Sequence, residues 1–119
     1  MANILIVDDS SLIRSVAASA AREAGHTPII ATNGKEGLEM MESNHIDIVF
    51  SDVNMPIMGG LDMVENIKAN PNYKFIPIIM LTTESDETLK ARGKTLGVKA
   101  WMLKPFNKEK FFTALQKLL

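Results

Sequence analysis

The stretch of sequence that decides the fold is residues 4–9, Ile4-Leu5-Ile6-Val7-Asp8-Asp9, in which four consecutive aliphatic residues lead into two acids. An apolar run that does not alternate with polar residues is typical of a strand buried on both faces, as in a parallel sheet covered by helices. The two acids would follow the carboxyl end of that strand, where open α/β sheets carry their functional groups. This stretch therefore predicts a fold class and also the place of its chemistry.

Four further aliphatic runs follow, separated by segments of helical periodicity. They are residues 29–31, 48–50, 78–81 and 100–103. Strands that alternate with helices of this length predict parallel pairing, right-handed crossovers and helices on both faces of the sheet. We therefore expect an α/β domain with a five-stranded parallel sheet and five helices, in which residues 1–119 form a single domain.

The five helices are predicted from residues that favour helix ends and from apolar stripes. The end signals are Gly25 after the first helix, Asn33 and Glu36 at the start of the second, Asn70-Pro71 after the third, Asp86 at the start of the fourth and Asn107 at the start of the fifth. The first helix is predicted to bury a stripe formed by Leu12, Ile13, Val16, Ala17, Ala20 and Ala24. The fourth has the weakest pattern, because an interior glycine, Gly93, costs roughly 0.5–1 kcal/mol relative to alanine.

Composition excludes several classes of function. The 119-residue chain contains no cysteine, which excludes a disulfide framework, a thiolate zinc site and a cysteine nucleophile. No apolar run approaches the roughly 20 residues of a membrane span, and the first residues lack the basic segment of a signal peptide, so we expect a cytoplasmic protein. The formal net charge is −1 and no basic stripe is present, which gives no support for nucleic-acid binding. Proteins are the expected partners.

Polar side chains follow four of the five predicted strands. They are Asp8-Asp9, Asp52, Thr82 and Lys104-Pro105. Because the carboxyl ends of parallel strands meet at one edge of the sheet, these side chains are expected to converge. Three carboxylates brought together repel one another unless a cation is bound, and oxygen ligands of this kind suit Mg²⁺, which keeps several waters or phosphate oxygens in its shell. The pattern predicts a magnesium site that is open to a phosphoryl group.

The same residues can support phosphoryl transfer. A carboxylate such as Asp52 can attack phosphorus to form an aspartyl phosphate. The transfer itself needs mainly alignment and neutralisation of oxygen charge, for which Lys104 offers an ammonium group and Thr82 a hydroxyl donor. Carboxylates at buried strand ends lose solvation and need a compensating role, so we prefer a functional interpretation to a purely structural one.

Taken together, the motifs resemble those of response regulator receiver domains, and among these the single-domain chemotaxis type called CheY. The resemblance spans the whole chain and is carried by Ile4-Leu5-Ile6-Val7-Asp8-Asp9, Ser51-Asp52-Val53-Asn54-Met55-Pro56-Ile57-Met58-Gly59-Gly60-Leu61, Met80-Leu81-Thr82 and Lys104-Pro105-Phe106. It implies a doubly wound, flavodoxin-like sheet with the strand order 2-1-3-4-5.

The resemblance also implies a role for each acid of the site. Asp52 would be the phosphoacceptor, and Asp9 and Asp52 would be direct Mg²⁺ ligands, with Asp8 acting through water. The backbone carbonyl of Asn54 would be a further ligand. Asn54 and Glu84 match the two positions that flank the attacking water in chemotaxis-type receivers, which implies self-catalysed hydrolysis of the aspartyl phosphate.

On the opposite side of the phosphoryl group, the resemblance implies that Thr82 and Lys104 hold its oxygens. The peptide bond between Lys104 and Pro105 is expected to be cis, as it commonly is in the family, since only X-Pro bonds adopt that form at low cost.

The resemblance further implies a switch surface formed by the fourth helix, the fifth strand and the fifth helix. Phosphorylation would draw Thr82 inward, and the aromatic residue three positions before the site lysine, here Trp101, would follow. The surface carries Lys90, Lys94, Lys99, Trp101 and Lys108. A solvated charged face is the alternative for the lysines, and core packing is the alternative for Trp101. The chain departs from the family pattern at Trp101, where Tyr or Phe is usual, at Thr83 and at Gly59.

The function implied is that of a stand-alone two-component response regulator, monomeric and of the chemotaxis type. A sensor histidine kinase would be the phosphodonor, and a motor component or a phosphatase would be the kind of protein target. The chain would not be a multiple-turnover enzyme. A phosphate sink or a phosphorelay receiver is an alternative, as is a degenerate receiver that acts as a scaffold.

Two further alternatives come from other classes of protein. A small aspartyl-phosphate phosphohydrolase would share the carboxylate chemistry, but its nucleophile usually follows the first strand, with a second Asp two positions later. A flavodoxin-like redox carrier would share the architecture, but Asp8-Asp9 would repel a flavin phosphate.

Overall fold

The structure, a computed structural model, describes residues 1–83 and 86–119. Within these residues five strands and five helices alternate along the chain. The strands are β1 (Asn3–Val7), β2 (Thr27–Ala31), β3 (Ile48–Ser51), β4 (Ile78–Thr82) and β5 (Ala100–Leu103). The helices are α1 (Ser11–Glu23), α2 (Gly34–Ser43), α3 (Gly60–Ala69), α4 (Glu87–Thr95) and α5 (Lys108–Leu118).

All neighbouring strands pair in parallel, in the order β2-β1-β3-β4-β5. The register places Val7 beside Ser51, and Thr82 beside Leu103. The residues that follow β1, β3, β4 and β5 therefore emerge at one edge of the sheet. The predicted doubly wound, flavodoxin-like order is confirmed.

Both faces of the sheet are covered, which explains why β1 is aliphatic throughout. Leu5 and Val7 pack into a core with α2 and α3, whereas Ile4 and Ile6 pack on the other face with α1 and α5. All four side chains are fully buried. No described helix combines the length and the apolar character that crossing a membrane would require.

The buried face of α1 differs from the predicted stripe. Its buried residues are Ala17, Ala18, Ala20 and Ala21. Leu12 and Val16 are instead 70% and 37% exposed, and Ala24 is exposed as well, so the prediction was wrong for these three. The small alanines form the contact with the sheet because they allow the helix axis to approach it closely. Gly25, with φ of +86°, ends this helix as predicted.

Side-chain caps define the starts of the other helices that the sequence marked. Asn33 accepts a hydrogen bond from the N–H of Glu36, and Glu36 in return accepts one from the N–H of Thr32, one residue before the cap. Asp86 likewise accepts hydrogen bonds from the N–H groups of Thr88 and Leu89 at the start of α4, and Asn107 accepts one from the N–H of Lys110 at the start of α5. These contacts satisfy backbone N–H groups that have no partner inside a helix.

The connection between β3 and α3 is close-packed and strained. A side chain at Gly60 would collide with the backbone oxygen of Asp52, so glycine is required there. The N–H of Met58 donates to the oxygen of Pro56 over 2.7 Å, which makes Ile57 the centre of a three-residue turn. Ile57 has φ of +69° and is 80% exposed. A β-branched residue is strained in this region of backbone space.

We predict that Ile57→Asn raises the free energy of unfolding by about 1 kcal/mol, because asparagine tolerates a positive φ at lower cost. Little buried apolar surface is lost, since the isoleucine side chain is largely exposed. Urea denaturation measures the change. The control is Ile57→Val, which keeps the β-branch and should leave the free energy nearly unchanged. Equal effects of the two substitutions would contradict the strain argument.

Candidate metal centre

Three carboxylates, those of Asp8, Asp9 and Asp52, meet at the carboxyl edge of the sheet. One oxygen from each lies within 4.8 Å of the oxygens from the other two. Asp8 and Asp9 follow β1 and Asp52 follows β3, and these strands are neighbours. Asp8 is 2% exposed and Asp52 6%, whereas Asp9 is exposed. The cluster is therefore anchored in the protein on one side and reaches solvent through Asp9.

Each buried carboxylate has one oxygen held by the backbone and one that faces Lys104. Oδ1 of Asp8 accepts from the N–H of Ser10 over 2.8 Å, and Oδ1 of Asp52 accepts from the N–H of Val53 over 2.7 Å. Nζ of Lys104 lies 3.3 Å from Oδ2 of Asp8 and 3.3 Å from Oδ2 of Asp52. The ammonium group therefore bridges the two acids.

The electrostatics of the cluster raise the pKa of Asp52 above its ordinary value of 3.8. Burial is the main cause and the negative charge of Asp8 adds to it, while Lys104 and the N–H of Val53 oppose the rise. In the absence of a further cation the site therefore disfavours a second buried negative charge.

The pKa of Lys104 is also raised above its ordinary value of 10.5. Burial alone lowers the pKa of this ammonium, but the attraction of Asp52 and Asp8 and the hydrogen bonds to them outweigh that effect. The stabilisation from Lys104 is thus fully present below pH 10.5 and is lost only as the pH rises through the higher folded-state pKa. At neutral pH the side chain is a cation.

The donor set fits a hard divalent cation. It consists of carboxylate oxygens, which Mg²⁺ prefers, and their mutual repulsion is the kind that such an ion relieves. An open cavity of about 440 Å³ adjoins the cluster and is lined in part by Asp9 and Asn54. Asn54, whose backbone carbonyl is predicted as a ligand, thus lines the same cavity as Asp9.

Thr82 and Lys104 are joined through their backbones. The oxygen of Thr82 accepts from the N–H of Lys104 over 2.9 Å, and Thr82 is fully buried at the end of β4. The predicted residues of four strand ends thus meet at one place. Thr83, which follows, is exposed. Glu84, predicted to act in hydrolysis, lies outside the described residues.

The segment after Lys104 is fixed by aromatic packing. The peptide bond between Lys104 and Pro105 is cis, in agreement with the expectation. The ring of Phe106 lies 5.9 Å from that of Phe50 and 5.3 Å from that of Phe111. These contacts anchor the chain directly beyond Lys104, since buried ring pairs of this geometry are stabilising.

Trp101 is half-buried, and the structure gives a reason for the glycine inside α4. A Cβ atom at Gly93 would lie 3.0 Å from Cζ3 of the indole ring, so a larger residue there would require Trp101 to shift, whereas glycine leaves room for it. Both competing predictions for Trp101, core packing and a switch, are compatible with this contact, because the indole packs against the core beside an open groove.

The predicted switch lysines separate into two places. Lys90, Lys94 and Lys99 line the groove beside Trp101, which has a volume of about 500 Å³. Lys108 instead pairs with Glu23 of α1, with Nζ 3.1 Å from Oε2. The structure therefore brings three of the four lysines together and places Lys108 at the α1–α5 contact.

Two charged residues near the site were missed by sequence reasoning. Asp62, in the first turn of α3, lines the same cavity as Asp9. Nη2 of Arg92 lies 2.8 Å from Asp62 and 3.0 Å from Glu65, so it ties α4 to α3. The position of Asp62 shortly after the Gly59-Gly60 turn was an available signal. No signal in the sequence indicated that Arg92 pairs with Asp62, because the two residues are 30 positions apart.

The sequence matches known proteins over nearly its whole length. A family model described as the response regulator receiver domain matches residues 4–116. The chemotaxis protein CheY1 of Helicobacter pylori (strain J99) is 33% identical over 118 residues, which cover 98% of this chain and 95% of that protein.

Solved structures agree with this match. CheY4 of Vibrio cholerae has a TM-score of 0.92 and 40% identity, covering 100% of this chain and 99% of that one. TrrA of Thermotoga maritima, solved in complex with Mg²⁺-BeF, has a TM-score of 0.88 and 30% identity, with 100% of both chains covered.

We predict that Asp52→Asn stabilises the metal-free protein at neutral pH. Because the pKa of Asp52 is raised on folding, the folded state binds a proton more readily than the unfolded state, and the cost of the ionised carboxylate grows as the pH rises above 3.8. The stabilisation should therefore shrink as the pH is lowered toward 3.8.

Urea denaturation in the presence of a chelator, at neutral and at acidic pH, tests this prediction. The control is Glu39→Gln, which removes an exposed charge on α2 and should change the free energy by less than about 0.5 kcal/mol. If Asp52→Asn were instead less stable than the wild type at neutral pH, the attraction between the Asp52 carboxylate and Lys104 would outweigh the energetic cost of burying that carboxylate.

Proposed function

Since this chain belongs to the response regulator receiver domain family, we propose that Asp52 accepts a phosphoryl group and that the chain signals through a surface that responds to it. The observation that carries the proposal is the meeting of three carboxylates with one ammonium group, in which Nζ of Lys104 lies 3.3 Å from both Asp8 and Asp52. Sensor histidine kinases are the proposed donors, as expected of a chemotaxis-type receiver.

Oδ2 of Asp52 is the proposed nucleophile, because Oδ1 is engaged by the N–H of Val53. In the proposed step a bond forms between Oδ2 and phosphorus while the bond between phosphorus and the donor's histidine nitrogen breaks, and the nitrogen takes the electron pair. Asp52 must be ionised for this attack. Nζ of Lys104 lies 3.3 Å from the same oxygen and favours the ionised form of Asp52. After the transfer, the ammonium group would instead contact the negatively charged phosphoryl oxygens.

Mg²⁺ is the proposed cofactor, held by Asp9, Asp52 and the backbone carbonyl of Asn54, with Asp8 acting through water. Such an ion supplies positive charge that offsets the charge on the phosphoryl oxygens. The oxygen-only donor set supports this proposal, and so does the relative TrrA, which was solved with Mg²⁺-BeF. The hydroxyl of Thr82 is the proposed donor to a further phosphoryl oxygen.

The proposed response begins at Thr82. It is buried at the end of β4, and in the same pair of strands Met80 lies beside Trp101. A movement of Thr82 toward the phosphoryl group would free volume for the indole, whose contact with Gly93 couples it to α4. The groove lined by Lys90, Lys94, Lys99 and Trp101 would change shape and with it the affinity for a protein target.

Self-catalysed hydrolysis would end the signal. Asn54 is exposed and lines an open cavity together with Asp9, one of the three clustered acids, which supports the role proposed for it. Glu84 is proposed as its partner on the basis of the family pattern alone. The chain would act as a monomer that is phosphorylated and resets itself, and not as a multiple-turnover enzyme.

We predict that acetyl phosphate and Mg²⁺ together introduce one acid-labile phosphoryl group per chain, and that Asp52→Asn abolishes it. Mass spectrometry at low and high pH measures the incorporation. Asp62→Asn, which alters the same cavity without touching the nucleophile, should be phosphorylated like the wild type.

Mg²⁺ should stabilise the wild type because it binds only the folded site. At a free Mg²⁺ concentration of ten times the dissociation constant, the free energy of unfolding should rise by about 1.4 kcal/mol, and Asp52→Asn should lose most of this increase.

Catalytic turnover of common phosphomonoesters without a phosphodonor would support the phosphohydrolase instead.

We also predict that Gly93→Ala displaces the indole of Trp101, since the added methyl group would lie 3.0 Å from Cζ3. The emission spectrum of this sole tryptophan should shift in the unphosphorylated protein and change less on addition of Mg²⁺ and beryllofluoride. The control is Thr95→Ala, an exposed change on the same helix, which should leave the emission unaltered. An unshifted spectrum for Gly93→Ala would show that the contact does not hold the ring.

A further inference from the structure

Arg14 makes a contact that the proposed function does not use. It is the fourth residue of α1, and its Nη1 donates to the backbone oxygen of Asp8 over 2.8 Å in a part-buried hydrogen bond. The helix itself does not favour an arginine so near its start. The N-terminal end of a helix carries a partial positive charge, which favours acidic residues and disfavours basic ones.

The oxygen that Arg14 holds belongs to the peptide group that joins Asp8 to Asp9. Because a peptide group is planar, fixing its oxygen also fixes the direction in which the chain enters Asp9. The side chain of Asp8 is already fixed by the N–H of Ser10 and by Lys104. Asp9 is exposed, so its direction depends more on its backbone than on the packing of its side chain.

We propose that Arg14 is a positioning residue for the divalent cation, which it serves by orienting the Asp8–Asp9 peptide group so that the Asp9 carboxylate faces Asp52. The inference rests on the proposed function, since it assumes that the acidic cluster binds Mg²⁺.

The sign of the effect separates positioning from simple electrostatics. As a charge alone, Arg14 would repel a cation, so its removal would tighten Mg²⁺ binding. As a positioning residue it orders a ligand, so its removal loosens Mg²⁺ binding. Changes to groups that orient metal ligands typically weaken metal affinity by about 10- to 100-fold.

The chain offers a matched control in Arg22. Both arginines line one open groove of about 340 Å³ between α1 and β2, and both carry the same charge. Arg22 lies in the last turn of α1, at the end of the helix remote from the Asp8–Asp9 turn. Removing Arg22 therefore reproduces the loss of charge and of groove lining without removing the hydrogen bond to Asp8.

The experiment is a titration with MgCl₂, followed by the backbone amide NMR signals of Asp9 and Asn54, on four proteins. These are the wild type, Arg14→Ala, Arg14→Lys and Arg22→Ala. We expect Arg14→Ala to raise the dissociation constant about tenfold, Arg14→Lys to recover most of the loss by restoring a cationic donor, and Arg22→Ala to equal the wild type or bind slightly tighter. Thermal melts with a chelator should show that all four proteins are folded, because the buried face of α1 consists of alanines. Arg14→Ala should melt slightly lower than the wild type, since it loses the hydrogen bond to Asp8.

Binding by Arg14→Ala that is as tight as in the wild type, or tighter, would overturn the proposal and leave only the effect of charge. Should Arg14→Ala fail to fold, Arg14→Gln takes its place with the same expected weakening. A wild type that does not bind Mg²⁺ would overturn the proposed function itself, so the two failures are distinguishable.

Discussion

Two carboxylates, Asp8 and Asp52, are buried side by side, and the ammonium group of Lys104 lies 3.3 Å from each of them. Burial raises the pKa of Asp52 and repulsion from the charge of Asp8 adds to the rise; Lys104 opposes both effects only in part, so the pKa of Asp52 stays raised. The negative charge of the three carboxylates is therefore not fully compensated by the single ammonium group. Its residual negative charge is what would attract a metal ion, and that ion together with Lys104 would draw a phosphoryl group.

The sheet makes this crowding possible by delivering each group from a different strand end. β1 and β3 are adjacent, so their terminal acids converge without any loop having to bend toward the other. The backbone oxygen of Thr82 accepts a hydrogen bond from the N–H of Lys104, which links the end of β4 to the end of β5. Packing on both faces of the sheet holds these ends in register, and the precision of the site is thus a property of the core.

The sequence sufficed for the parts of the molecule that depend on local pattern. Aliphatic runs predicted the strands, and the acids and lysine that follow them predicted the site, because parallel strands share one edge. It failed where the answer depends on how helices rotate or meet. The large residues Leu12 and Val16 look like a core stripe, yet alanines face the sheet in α1. The contact between Gly93 and Trp101, and the pair of Lys108 with Glu23 across 85 positions, arise only once the elements are packed.

The position of β5 in the sheet has a mechanical consequence. β1 and β3 are hydrogen-bonded to neighbours on both sides, so the strands that carry the acids are held stiffly. Among the described residues, β5 lies at the edge and is bonded to β4 alone, so Trp101 and the groove beside it lie on the strand of this half of the sheet that has the fewest bonded neighbours. A small change in structure at the ends of β1 and β3 would therefore be accommodated mainly by movement of β5, because moving an edge strand disturbs the fewest backbone hydrogen bonds.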